Sequence, residues 1–107
     1  LIPSSIKRIS NFAFFGCKNL NKIEFEKNSE LQSIGSCSFY DSNIESFSLP
    51  LNVTTIGAGV FEKCEKLQII EIPENSQIKS IDDMLNKTTI VGILMISSQL
   101  KHLVNKS

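Results

Sequence analysis

The chain has 107 residues, 41% of them apolar, which fits one globular domain with a modest core. It carries 11 Lys and Arg residues and 11 Asp and Glu residues, and this balance argues against a nucleic-acid-binding protein, which needs a basic stripe to neutralise phosphates. The longest apolar run, segment 90–96, has seven residues, far fewer than the roughly 20 that a membrane-spanning helix needs, so we predict no membrane insertion by this chain.

A repeated pattern of apolar residues begins near the start of the chain and dominates the sequence. Its copies start at Ile6, Leu31, Val53, Ile78 and Leu100. The steps between them are 25, 22, 25 and 22 residues, so long and short units alternate with a combined period of 47. Most of the extra length of a long unit lies in the loop 26–30, which is matched by the loop 74–77. Such a period is typical of repeat proteins, whose units bury their apolar sides only by stacking on one another.

We predict a single repeat domain over residues 1–107. Its units span approximately residues 6–30, 31–52, 53–77 and 78–99, and a partial unit spans 100–107. Leu1–Pro3 has the pattern that closes a unit, as Ile72-Pro73 does. Neither end has the polar residues that cap a stack of repeats, so we expect the chain to be part of a longer array and to associate end to end.

Each unit contains one predicted strand, at the position where apolar and polar residues alternate. These segments are Leu20–Phe25, Ile44–Leu49, Leu67–Ile72 and Val91–Ile96. Alternation in a stretch rich in β-branched residues is typical of a short strand, and Pro50 and Pro73 follow two of the segments. The segments that contain Phe14, Phe39 and Phe61 are predicted to turn the chain back across the core. Stacking then places the strands in a parallel sheet.

The pattern I-x-x-I-x-x-x-A-F-x-x-C-x-x-L-x-x-I-x-I-P resembles the BspA-like, or Treponema pallidum-type, class of leucine-rich repeats. Ile6–Phe25 and Val53–Pro73 carry it, Leu31–Pro50 carries a looser form, and the fourth unit has Leu85-Asn86 in place of Ala-Phe. The resemblance implies an α/β-type repeat solenoid, a right-handed superhelix with short parallel strands on the concave face and turns or short helices opposite. It also implies a bacterial or parasite protein at the cell surface or outside the cell that adheres to host cells or matrix proteins.

The predicted concave face carries two rows of side chains, which alternate with the buried residues of each strand. One row is Lys22, Ser46, Ile69 and Ile93, and the other is Glu24, Ser48, Glu71 and Met95. The rows become less polar toward the C-terminal end, where Ile69, Ile93 and Met95 would be exposed apolar side chains. A contiguous exposed apolar patch often marks an interaction site. We predict that this face binds a partner protein. The alternative is that neighbouring units or a second copy cover its apolar end.

The three cysteines, Cys17, Cys37 and Cys64, are predicted to be free thiols. Cys17 and Cys64 occupy the same repeat position two units apart, a separation of about 10 Å, which is too long for a disulfide. We expect both to be small buried side chains. Free buried thiols fit an intracellular scaffold with a protein client, which is the alternative to a surface adhesin.

No pattern in the sequence indicates catalysis, a cofactor or a metal. The cysteines lack zinc-ligand spacing, and the single histidine, His102, is isolated near the C-terminus. No nucleophile with a base and no pair of carboxylates suggests an enzyme. A role as an accessory domain of an enzyme would require catalytic sequence outside these residues.

Overall fold

The computed structural model describes residues 1–78 and the strand at 94–96. Its strands are β1 (Arg8–Ile9), β2 (Ser33–Ile34), β3 (Ser46–Ser48), β4 (Thr55–Ile56), β5 (Ile69–Glu71) and β6 (Leu94–Ile96). They pair only in parallel and form two three-stranded sheets, ordered β1-β2-β4 and β3-β5-β6. The remainder of the described chain consists of turns and irregular segments. It contains no helix, and so none that could cross a bilayer.

The sheet β3-β5-β6 is the one that the alternating pattern predicts. Phe47 and Ile70, at the centres of β3 and β5, are buried, whereas Ser46, Ser48 and Glu71 are exposed. In the first unit the predicted strand is reduced to one parallel bridge, between Ile2 and Phe25. Backbone hydrogen bonds join that segment to the second unit only at its start, from Asn43 N to Leu20 O and from Glu45 N to Asn21 O.

The sheet β1-β2-β4 is not part of the prediction, because strands of two residues are too short to show an alternating pattern. Each strand begins with a polar residue that is exposed or half-buried, and ends with Ile9, Ile34 or Ile56. Ile9 and Ile34 are buried in the same apolar cluster as Phe47 and Ile70. The two sheets therefore share one core.

The register between β5 and β6 differs by one residue from the prediction. The predicted rows place Ile69 beside Ile93, but the structure pairs Ile69 with Leu94 and Glu71 with Ile96. Segment 90–96 is apolar throughout, so it has no alternation that would fix the pairing from sequence. Between β3 and β5 the predicted pairing is confirmed, with Ser46 beside Ile69 and Ser48 beside Glu71.

The core consists of equivalent apolar residues from successive units. Those of the second and third units are buried: Leu31 and Val53, Phe39 and Phe61, Ile44 and Leu67, Phe47 and Ile70, and Leu49 and Ile72. Their counterparts in the first unit are less covered, since a unit packs on only one side of them; Ile6 is 39% exposed. The rings of Phe14, Phe39 and Phe61 stack in a row, with centroids 5.4 and 6.1 Å apart.

The turns that leave the sheet β1-β2-β4 follow one backbone path in the three described units. Two positions in each turn have a φ between 55° and 70°: Phe12 and Gly16, Cys37 and Asp41, and Gly59 and Lys63. Alternate N–H groups donate to carbonyls of the next unit, as from Phe12 to Ser36 (2.9 Å) and from Phe14 to Ser38 (2.8 Å). The turns are therefore a further hydrogen-bonded layer between units.

Candidate functional site

The exposed face of β3 and β5 brings together four of the residues predicted to bind a partner. Side chains alternate across a strand, so the neighbours of buried Phe47 and Ile70 face outward. Ser46, Ser48 and Glu71 are exposed, and Ile69 is half-buried. Ser48 Oγ donates a hydrogen bond to Glu71 Oε1 at 3.4 Å. These residues form one surface, with an apolar side chain beside two hydroxyls and a carboxylate.

Lys22 and Glu24 extend this surface into the first unit. Lys22 Nζ lies 2.7 Å from Glu24 Oε1, and both residues are exposed. Their hydrogen bond raises the pKa of Lys22 and lowers the pKa of Glu24, so both groups are charged at neutral pH. An exposed pair of this kind adds little stability, and it remains accessible to a partner.

The two fourth-unit residues of the predicted surface, Ile93 and Met95, are not part of the surface that the structure describes. Ile93 lies outside the described residues. Met95 lies in β6 and pairs with Ile70 instead of continuing the row of Glu71, so the predicted row is wrong at this point. The described surface therefore consists of Lys22, Glu24, Ser46, Ser48, Ile69 and Glu71.

A groove opens at the carboxyl ends of the strands, along one edge of this surface. Its larger part is an open cavity of about 640 Å³, and the residues that help to line it are Glu24, Glu26, Asn28, Ser29, Ser48 and segment 50–52. A smaller cavity of about 160 Å³ shares Ser48 and Leu49 with it and continues to Glu71, Ile72 and Pro73. We call the two cavities together the strand-end groove.

Glu26 supplies a second carboxylate to the larger cavity. Its Oε1 accepts a hydrogen bond from the backbone N–H of Ser4 at 2.8 Å. This hydrogen bond lowers the pKa of Glu26, so the side chain is an anion at neutral pH. The sequence pattern did not single out Glu26, because it lies just after the alternating segment. Its position directly after a strand-like segment was the available signal, since binding residues are frequent in such loops.

A family model described as the BspA type leucine rich repeat region matches residues 1–107, with six copies. The chain belongs to the BspA-type leucine-rich repeat family. Membership confirms the resemblance seen in the repeated pattern, and it indicates a repeat solenoid that serves as a protein-binding module. Comparisons with curated proteins and with solved structures gave no match.

The cysteines of this BspA-type chain are free, as predicted. Cys64 is buried, with Sγ 2.9 Å from Phe39 O and 3.5 Å from Ser42 Oγ. Burial raises the pKa of the Cys64 thiol and keeps it protonated at neutral pH. The expectation of a buried Cys17 is wrong: Cys17 is exposed, because it belongs to the first unit, which the second covers on one side only.

The described part of this BspA-type chain offers no cluster for metal chemistry. Within it, no group of three or more His, Cys, Asp and Glu side chains lies close enough to hold a metal ion. His102 lies outside the described residues. The surface and groove combine carboxylates, hydroxyls and apolar side chains.

Proposed function

We propose that this chain is the ligand-binding part of a non-enzymatic adhesin at the cell surface, which binds host-cell or matrix proteins. In a right-handed superhelix of this family, the sheet β3-β5-β6 would form the concave face. The observation that supports the proposal is the outward row of Ser46, Ser48, Ile69 and Glu71. The core of the chain uses the alternate residues, so these side chains are available to a partner.

The composition of this face suits recognition of a protein. Ile69 is a half-buried apolar side chain with Ser46 beside it on β3 and exposed Glu71 two residues further along β5. An apolar centre with a polar rim is the usual arrangement of a protein interface. Parallel strands hold the row in place, so little conformational freedom is lost when a partner binds.

Binding of the purified chain to cultured host cells and to immobilised matrix proteins tests the proposal. Ile69→Glu places a charge at the centre of the face and is expected to weaken saturable binding by about tenfold or more, as for a central interface residue. Thr55→Glu makes the same change in charge on the exposed side of β4, in the other sheet, and is expected to bind as the unchanged chain does.

Circular dichroism of both variants establishes that they are folded. Wild-type affinity of a folded Ile69→Glu variant for every cell and matrix ligand would contradict a role for this face.

An intracellular scaffold is the second candidate, and the free cysteines favour it. Cys17, Cys37 and Cys64 are thiols, and thiols persist in reducing compartments, whereas extracellular proteins commonly form disulfides. Protease treatment of intact source cells separates the candidates. Loss of the parent protein supports a surface adhesin, and its protection until the cells are lysed supports the scaffold.

A further inference from the structure

We propose that the strand-end groove binds an extended basic segment of the partner protein, with lysine or arginine side chains about three residues apart. The inference rests on the proposed function and deepens it, because it states the chemistry of the partner. The groove carries negative charge and apolar lining residues, and its carboxylates lie on different units.

The charge of the groove has one sign. Its charged lining residues are Glu24, Glu26 and Glu71, and no Lys, Arg or His is among the described residues that line either cavity. Lys22 forms an ion pair with Glu24 but does not line the groove. A cationic partner group therefore meets carboxylates and no positively charged side chain in the lining, although at Glu24 it competes with Lys22, while an anionic group would be repelled.

Apolar residues form part of the lining of the groove, which favours a long side chain over a small cation. Phe25, Leu49 and Pro50 line the larger cavity, together with Leu51, which is 46% exposed. Lysine and arginine lay their methylene stems along apolar surface while the charged head reaches polar groups. Apolar residues beside carboxylates match both parts of such a side chain.

The spacing of the carboxylates sets the spacing of the basic residues. Glu24 belongs to the first unit and Glu71 to the third, so they are two stacking steps apart. Two steps between paired strands measure about 10 Å, and this is a lower limit here because the first-unit segment is not paired with β3 at Glu24. A chain in the polyproline II conformation advances about 9.3 Å in three residues and returns to the same side. Basic residues on the same side of such a chain, at positions i and i+3 or i and i+6, would therefore reach the two ends of the groove.

Binding of synthetic peptides to the full chain, followed by fluorescence anisotropy, tests the inference. The first probe repeats Lys-Pro-Pro, the second repeats Glu-Pro-Pro, and the third has the composition of the first with its lysines adjacent. We expect saturable binding of the first peptide that weakens as salt is added, weaker binding of the third, and none of the second.

Two variants and a matched control locate the contact. Glu24→Gln and Glu71→Gln are each expected to weaken binding of the Lys-Pro-Pro peptide by up to about fivefold, the range of an exposed ion pair. Glu45→Gln makes the same change at an exposed glutamate outside the groove, where the third unit has Gln68. Its binding should equal that of the unchanged chain.

Two results would overturn the inference: no preference for the lysine peptide, or equal weakening by Glu45→Gln and by the groove variants. Neither result bears on the adhesin itself, since Ile69 does not line the groove and its variant is tested on cells and matrix proteins. If Ile69→Glu loses cell binding but the peptides bind regardless of their charge, the proposed function would stand and the inference of a basic partner segment would be rejected.

Discussion

Ser38 is a buried serine at a repeat position where the other described units have Ala13 and Val60. Its hydroxyl has no hydrogen-bond partner among the described residues. A buried polar group without a partner costs roughly 1–3 kcal/mol of stability. Ser38 is thus the one polar side chain at a position that is apolar in the other described units. The second buried serine, Ser42, differs from it because its Oγ lies 3.5 Å from Cys64 Sγ.

We expect Ser38→Ala to raise the free energy of unfolding by up to about 1 kcal/mol, because it removes the unpartnered hydroxyl and leaves a side chain that the first unit already uses. Urea denaturation followed by circular dichroism measures the change. Ser42→Ala, which removes a hydroxyl with a partner, should not stabilise the chain. A destabilised Ser38→Ala variant would mean that the hydroxyl has a partner in solution.

β2 and β4 are each followed by a glycine that allows adjacent units to approach closely. A Cβ atom at Gly35 would collide with the backbone N of Asn11, and one at Gly57 with the backbone N of Ser36. The first unit has Ser10 at this position. The collision therefore involves the preceding unit in each case, and the glycines set how closely the turns of adjacent units stack.

Gly57→Ala is expected to lower the free energy of unfolding by about 1–3 kcal/mol, as for other changes that overpack a closely packed region. The urea midpoint of the variant measures the loss. Ser10→Ala is the matched control, since that position already carries a Cβ atom, and it should leave the midpoint nearly unchanged. A Gly57→Ala variant as stable as the original chain would show that the turns move apart at little cost.

The elements that the sequence predicts are those in which one side of the chain is buried over several residues. β3 and β5 follow from alternation around Phe47 and Ile70, and the exposure of Ser46 and Ser48 follows from the same pattern. The positive φ of Phe12 could not be predicted in this way, because aromatic side chains rarely adopt that conformation. The strand-end groove could not be predicted from the sequence either, because its lining depends on the path of two loops.

At the scale of the stack of units, the first unit has an apolar side that no other described unit covers. Phe12 and Phe15 are 58% and 49% exposed. Their rings pack edge to face, with centroids 5.7 Å apart. Their counterparts in the third unit, Gly59 and Glu62, are buried and half-buried. An apolar stacking side of this kind favours association with a second copy.

Sedimentation velocity is expected to show a mass that rises with concentration toward the millimolar range, because stacking removes these aromatic rings from water. The double variant Phe12→Ser, Phe15→Ser should shift association to higher concentration. Leu51→Ser removes an apolar side chain of similar exposure on the groove, away from this end, and should leave association unchanged. A strictly monomeric chain at millimolar concentration would contradict end-to-end stacking.

The alternation of 25- and 22-residue units has a consequence for valency. The larger cavity of the groove is lined by Glu26, Asn28 and Ser29 of the long loop 26–30 and by the short segment 50–52. An array that continues this alternation repeats that combination once in every 47 residues, not once in every unit. Each added pair of units would then add one groove, and a partner with regularly spaced basic segments would bind with an avidity that grows with every pair.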